Sequence, residues 1–257
     1  MSNIEIIKHK KLDLETPVFL CDGSLNKELE RYQMLSNLNG FKMTMLIGRP
    51  ASGKTSLLIS WLTTKKVFKK MYHKVVVVMP SSSRNSMKKN PFKKHLPERL
   101  FEELDLSTIT TIYNNLLESS EAKETTLLLL DDIGASLKNN EIQKLLRKII
   151  YNKRHLKCHI IMLLQSCLSC PREVRKMCDS VVIFKPSKIE AEVMMNELFE
   201  YTKEDTLNII KYAFTKPHDY LMLNITNQKM YKDYNEIILK NNNLSYNNNN
   251  DSSEEDD

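Results

Sequence analysis

The chain has 257 residues, 41% of them hydrophobic and 27% charged, with a formal net charge of +6. That length suits one α/β domain whose core needs no disulfide or metal staple, and five glycines rule out collagen-like and glycine-rich linker architectures. So few glycines leave positive-φ positions to other residues, and the plentiful asparagine is expected to serve most of them.

The charge is unevenly spread. Residues 251–257 hold five acids and no base, so residues 1–250 alone stand at +11. Such a body fits a polyanionic partner, although a lysine-rich composition of the whole genome explains it equally well. The N-terminus has no apolar signal core, the longest apolar runs fall far short of a membrane span, and five cysteines are an odd number. A soluble protein of a reducing compartment, with no membrane insertion, is therefore expected.

Short apolar runs recur at 43–47, 74–79, 126–130, 159–164, 180–184 and 220–225. Continuous rather than alternating hydrophobicity predicts strands covered on both faces, as in a parallel sheet. Amphipathic spacing predicts helices over 54–66, 141–153 and 188–200. The alternation reads as a doubly wound α/β sheet with helices on both faces. Three regions are expected: an N-terminal extension, 1–40, packed on the core; one domain, 41–240; and a tail, 241–257. The tail begins with seven asparagines in ten residues and ends in acids, a composition too polar to order itself.

The chemistry begins at Gly48-Arg49-Pro50-Ala51-Ser52-Gly53-Lys54-Thr55, a full G-x-x-x-x-G-K-[ST] match between an apolar strand and an amphipathic helix. At this glycine content the pattern arises by chance in roughly one or two such chains per thousand. Gly48 and Gly53 let the backbone curl so that the N–H groups of residues 51–55 converge on a β-phosphate, with the helix N-terminus behind them. Lys54 would reach the β- and γ-oxygens, and the Thr55 hydroxyl would ligate Mg²⁺. Ser56 completes the predicted nucleotide-binding stretch.

A phosphate loop needs a carboxylate at the end of a buried strand. Leu127–Leu130 running into Asp131-Asp132 is the only apolar run that ends in paired acids. Asp131 is the expected Mg²⁺-side group. Asp132 is expected to polarise the attacking water, or else merely caps the turn at Ile133-Gly134. The strand 159–164 ends in Gln165, a candidate γ-phosphate sensor that is also an ordinary strand-end amide. Arg154 closes the helix after the paired acids, either as a helix-terminal base or as an arginine finger reaching a neighbouring subunit. Arg147 and Arg175 are weaker candidates for that role.

Cys167-x-x-Cys170 with Cys158 and Cys178 is too irregular for zinc and reads as buried thiols. Lysine clusters at 65–66, 69–70, 88–89 and 93–94 lie beside Phe68, Tyr72 and Phe92, as in a phosphate-backbone track, or in plain solvated loops.

A GTPase would carry Asn-Lys-x-Asp, whereas Asn152-Lys153 runs into Arg154-His155; no Leu-Ser-Gly-Gly-Gln is present, and a two-lobed helicase needs about twice the length. The ordered series 47–58, Met79-Pro-Ser-Ser-Ser-Arg-Asn-Ser86, Leu130-Asp-Asp-Ile133 and Asn152-Lys-Arg-His155 into Ile160-Ile-Met-Leu-Leu-Gln165 resembles the genome-packaging ATPases of large nucleocytoplasmic DNA viruses, in the FtsK/HerA superfamily. The resemblance covers residues 40–200. It implies a RecA-like P-loop sheet with the Gln165 strand between the phosphate-loop and Asp131 strands, ATP and Mg²⁺ as cofactors, and a homo-oligomeric ring that threads double-stranded DNA into a capsid. It implies further that Arg154 is the trans-acting finger, that Gln165 is the polar sensor, that a capsid or portal component docks the ring, and that the protein works in the cytoplasm of the infected cell. Asp131-Asp132 departs from the Asp-Glu of the cellular pumps. The alternatives are a P-loop ATPase switch or loader without processive translocation, and a nucleotide kinase.

Overall fold

A computed structural model describes residues 3–10, 29, 31–36, 38–87 and 90–240. The tail expected at 241–257, most of the N-terminal extension, Cys21 and Lys88-Lys89 lie outside those residues. Among them, no helix is long and apolar enough to cross a membrane.

The chain runs through β1 (Asn3–Ile7), α1 (Gln33–Ser36), β2 (Met43–Ile47), α2 (Lys54–Thr63), β3 (Lys74–Val78) and α3 (Ser81–Asn85). It continues through β4 (Leu100–Phe101), α4 (Leu106–Glu121), β5 (Thr126–Asp131), α5 (Asn140–Tyr151), β6 (Cys158–Leu164) and α6 (Arg172–Lys176). Last come β7 (Ser180–Phe184), α7 (Lys188–Phe199), α8 (Lys203–Ala213), β8 (Tyr220–Asn224), β9 (Lys229–Lys232) and β10 (Asn235–Lys240). The described strands form one sheet in the order β1-β10-β9-β8-β7-β2-β6-β5-β3-β4. From β7 to β4 the pairing is parallel, and from β7 outward through β8, β9, β10 and β1 it is antiparallel.

The continuous apolar runs are explained by the two faces of this sheet. Side chains alternate along a strand, and on β5 Leu128 and Leu130 enter one core with Ile109 and Leu116 of α4 and Leu146 of α5. Leu127 and Leu129 enter the other, with Leu58 and Trp61 of α2 and the buried Phe68 and Tyr72. Leu35 and Leu38 pack into that second core. Neither face meets solvent, so neither needs polar residues.

Two features depart from the sequence-based expectation. The run at 220–225 is antiparallel to β7, and it opens a meander to which β9 and β10 add a hairpin turning at Asp233-Tyr234. Both turn residues have positive φ, 50° and 68°, as a two-residue hairpin of right-handed twist requires. Helix α4 is rich in β-branched Thr and Ile, poor helix formers. It forms because the Asp105 side chain caps it through Thr108 N, and because Ile109, Ile112 and Leu116 recur at helical spacing and are buried.

Among the described residues, asparagine does not serve the positive-φ positions. The described non-glycine residues there are Ala51, Lys70, Lys123, Asp132, Lys157, Glu200, His218, Gln228, Asp233 and Tyr234. Lys123 follows α4 and Glu200 caps α7. At a helix end the 6→1 and 5→2 backbone bonds offset the roughly 1 kcal/mol of left-handed strain, and a lysine adds a favourable charge for the carbonyl end.

Candidate active site

Parallel register brings the carboxyl ends of β7, β2, β6 and β5 level: Ile183 pairs with Ile47, Ile47 with Leu164, and Leu163 with Asp131. In open α/β sheets such an edge is where ligands are held. The loop after β2, the acids ending β5 and Gln165 after β6 therefore converge there. The Gln165 strand lies between the other two, as the resemblance implies.

The loop after β2 is held from both sides. Gly48 N donates to Leu164 O on β6 at 3.1 Å. A Cβ on Gly48 would stand 2.7 Å from Phe184 Cβ and 2.8 Å from Ser52 Oγ, so close approach demands glycine here. Gly53, φ +108°, turns the chain into α2 without a side-chain cap, leaving the first N–H groups of the helix for a ligand.

Lys54 is buried, and its ammonium donates to Gly48 O at 2.5 Å and Arg49 O at 3.0 Å. Burial pulls its pKa down, while Asp131 and then Asp132 push it back up. The Asp131 carboxyl is pushed up to about 6, first by burial and then by Asp132, against the attraction of Lys54. Asp132 is exposed, its backbone is left-handed at φ 55°, and it accepts from Gln165 Nε2 at 2.9 Å. Thr55 and Ser56 line a cleft over the loop with Ala51, Ser52 and Gly53; Arg49 and Pro50 of the same loop are exposed and do not line it.

Arg154 stands elsewhere. It is exposed and precedes β6, at the opposite end of the sheet from Gln165. Seven residues of strand at ~3.3 Å each separate the two ends by about 20 Å, so Arg154 does not reach the site of its own subunit.

Arg175 is not a finger. It is buried and forms a fork with Glu197, Nε to Oε2 and Nη2 to Oε1 both at 2.9 Å, while Nη1 donates to the carbonyls of Cys167 and Cys170. The fork ties the turn after Gln165 to α7, so its function is positioning. Glu197, which falls in the apolar register of the predicted helix, is inside for this reason. Arg147 pairs with Glu173 on the surface. Cys158, Cys167, Cys170 and Cys178 are buried free thiols whose pKa values burial raises. Arg175→Ala is expected to leave the Glu197 carboxylate with only the exposed Arg172, 3.3 Å from its Oε1, and to lower unfolding free energy by about 2 kcal/mol, read in urea titration; a loss below ~0.5 kcal/mol would mean that the fork holds nothing.

Phe68, Tyr72 and Phe92 are also placed otherwise than a nucleic-acid track requires. All are buried at 2% exposure or less, so no base can stack on them. Contact of a polyanion with the lysines beside them would rest on charge alone.

The sequence profile of the poxvirus A32 protein family matches residues 27–252. The chain belongs to that family. No curated protein matches the sequence. Among solved structures, this A32-family chain is similar to B204, the DNA-packaging ATPase from Sulfolobus turreted icosahedral virus. Identity is 16%, 75% of this chain and 96% of that one are covered, and the TM-score is 0.56. It is similar also to the genome packaging NTPase B204 from Sulfolobus turreted icosahedral virus 2 in complex with ATP-gammaS, with 14% identity, 74% and 96% coverage and a TM-score of 0.54. At these identities the likeness establishes the fold: the A32-family chain has the mixed α/β, RecA-like architecture of P-loop ATPases.

His218, Phe184 and Tyr220 complete the cleft over the loop. No sequence signal marks them. They come from the ends of β7 and β8, more than 120 residues beyond the loop, and only the antiparallel return of β8 brings them to it.

Proposed function

We propose that this chain is an ATP-driven motor that translocates double-stranded DNA into a viral capsid. The observation that carries this reading is the convergence of Lys54, Asp131, Asp132 and Gln165 on one sheet edge in an A32-family chain. The relatives in fold bear the names DNA-packaging ATPase and genome packaging NTPase, one of them with an ATP analogue.

Backbone N–H groups of residues 51–55 hold the β-phosphate, and Lys54 swings from the Gly48 and Arg49 carbonyls to the β- and γ-oxygens. Thr55 and Asp131 would hold Mg²⁺. The fit rests on Asp131: a buried carboxyl pushed up to about 6 lacks positive charge beyond what Lys54 gives it. Held there, the ion would supply positive charge to neutralise the phosphates. Asp132 receives the proton of the attacking water, and Gln165 holds the Asp132 carboxylate in place. Because Gln165 touches Asp132 rather than standing apart, γ-phosphate sensing and base positioning belong to one hydrogen-bonded pair. Arg154 serves the neighbouring subunit in a homo-oligomeric ring, a reading supported by its exposure and by its distance from its own site. Residues 41–240 form the ATPase domain, the segment before them braces it, and the tail at 241–257 lies beyond it. A capsid or portal component docks the ring during virion assembly in the infected cell.

Turnover with and without long duplex DNA tests this. A motor hydrolyses ATP several-fold faster when DNA is added, on the order of threefold or more, and the gain falls steeply with salt because phosphate contacts release counterions. No response to DNA, with activation by a protein partner instead, identifies a switch or loader. Phosphate transfer to an acceptor other than water identifies a kinase.

A further inference from the structure

The proposed motor chemistry occupies one side of the phosphate loop. Asp131, Asp132 and Gln165 stand on β5 and β6, and that side takes the γ-phosphate. On the other side of β2 the sheet continues into β7 and β8. A cleft of about 480 Å³ opens there over the loop and runs past Ser56 and Leu57, bounded by Phe184, His218 and Tyr220. If the β-phosphate sits on the N–H groups of residues 51–55, the α-phosphate and nucleoside must leave towards Ser56 and Leu57. They then enter this cleft, whose size is that of an ordinary small-molecule site.

Its walls are built rather than accidental. Phe184 is buried, and its ring lies 5.7 Å from that of Tyr220 at 44°, forming an aromatic floor. His218, held in the left-handed region at φ 65°, lines the same cleft. Its turn is pinned by Asp219, whose carboxylate accepts from Thr215 N at 2.8 Å, Lys216 N at 2.7 Å and Lys232 Nζ at 3.2 Å. The ring is fixed in turn by a bond to Ser52 O at 3.1 Å. A carbonyl only accepts, so His218 Nδ1 carries the proton and the ring stands upright on the loop, with the rest of its surface exposed.

We infer that His218 is the nucleoside-binding residue of this chain: its imidazole face packs against the base of the bound nucleotide in the cleft that it lines with Phe184 and Tyr220. The inference rests on the P-loop reading of residues 48–56 and adds to it the half of the ligand that the motif does not read. Face-to-face contact uses a surface that every base possesses, so it holds the nucleoside without reading its edge.

Calorimetric titration of the full chain with Mg-ATP and, separately, with inorganic tripolyphosphate tests the assignment. In His218→Ala, ATP should bind about tenfold more weakly, equivalent to ~1.4 kcal/mol, while tripolyphosphate binds as in the unaltered chain. His218→Phe, which keeps the ring but loses the bond to Ser52, should restore ATP affinity to within about threefold. The inference is overturned if His218→Ala leaves ATP binding unchanged, if it weakens both ligands in step, or if His218→Phe behaves as His218→Ala. Lys54→Ala keeps the two readings apart: it should weaken ATP and tripolyphosphate together, and if it weakens neither, the fault lies with the phosphate loop itself.

Discussion

Subunits carrying Arg154→Ala and subunits carrying Lys54→Ala should each be inactive alone and regain ATPase activity when mixed. Among the described residues, Lys54 is the cation buried against the loop carbonyls and close enough to Asp131 and Asp132 for both to shift it, so its removal should cost ~10³-fold in turnover. Arg154 sits about 20 Å away along β6. A finger acting across an interface is worth 10³–10⁵ in rate, and a ~10³-fold loss is expected from Arg154→Ala with ATP binding preserved. In a mixed ring, a junction that joins the intact loop of one subunit to the intact arginine of the next is complete. Random mixing at equal amounts makes about a quarter of the junctions complete, so activity should recover to roughly that fraction if junctions act independently. Full activity of Arg154→Ala, or silence of the mixture, would remove the finger from this residue.

The second large effect couples stability to chemistry with opposite signs. Asp131 is a carboxyl whose pKa in the folded chain, about 6, lies above its ordinary value near 3.8. For a raised carboxyl the folded state favours the proton. The associated stability is present below the unfolded pKa and is lost as pH rises through the folded one. Above pH 6 the nucleotide-free protein therefore carries a charge-burial cost of about 3 kcal/mol at this site. Asp131→Asn removes that charge but also withdraws an attraction from Lys54, so the net gain should be smaller, about 1 kcal/mol. The variant should melt higher than the unaltered chain at pH 7.5 without nucleotide, show no advantage near pH 4, and lose ATP hydrolysis by about 10³-fold. A lower melting temperature at pH 7.5 would show that Asp131 is satisfied in the empty site and is not a cation ligand in waiting.

Much of the site was legible because the chemistry of phosphate binding is local. Residues 48–56 are contiguous, and two glycines, a lysine and a hydroxyl at fixed spacing are enough to specify a curled backbone. Asp131-Asp132 was legible for a related reason: a strand buried on both faces has no use for charge, so acids at its end stand out. The parallel half of the sheet followed from the same continuous hydrophobicity.

Of the antiparallel half only the run at 220–225 showed in the sequence, and not its direction. Its hairpin turns on Asp233-Tyr234, without the Asn-Gly or Asp-Gly that usually announces one. Lys229–Lys232 and Asn235–Lys240 become strands by pairing with β8 and with each other. The expectation for asparagine failed because the fold sets these positions, a helix end at Lys123 and Glu200 and a hairpin at Asp233-Tyr234, whichever residue is most tolerant of them.

The amino-acid sequence by itself determined the phosphate loop, the paired acids and the strands that carry them, since each depends on neighbours within a few residues. Tertiary structure decided which groups meet across strands. It made Gln165 a partner of Asp132, withdrew Arg175 into a clamp with Glu197, set Arg154 beyond reach of its own site, and brought His218 over a loop more than 160 residues earlier in the chain. Those contacts depend on strand order and direction, and a one-dimensional pattern of residues carries neither until the sheet has closed around its core.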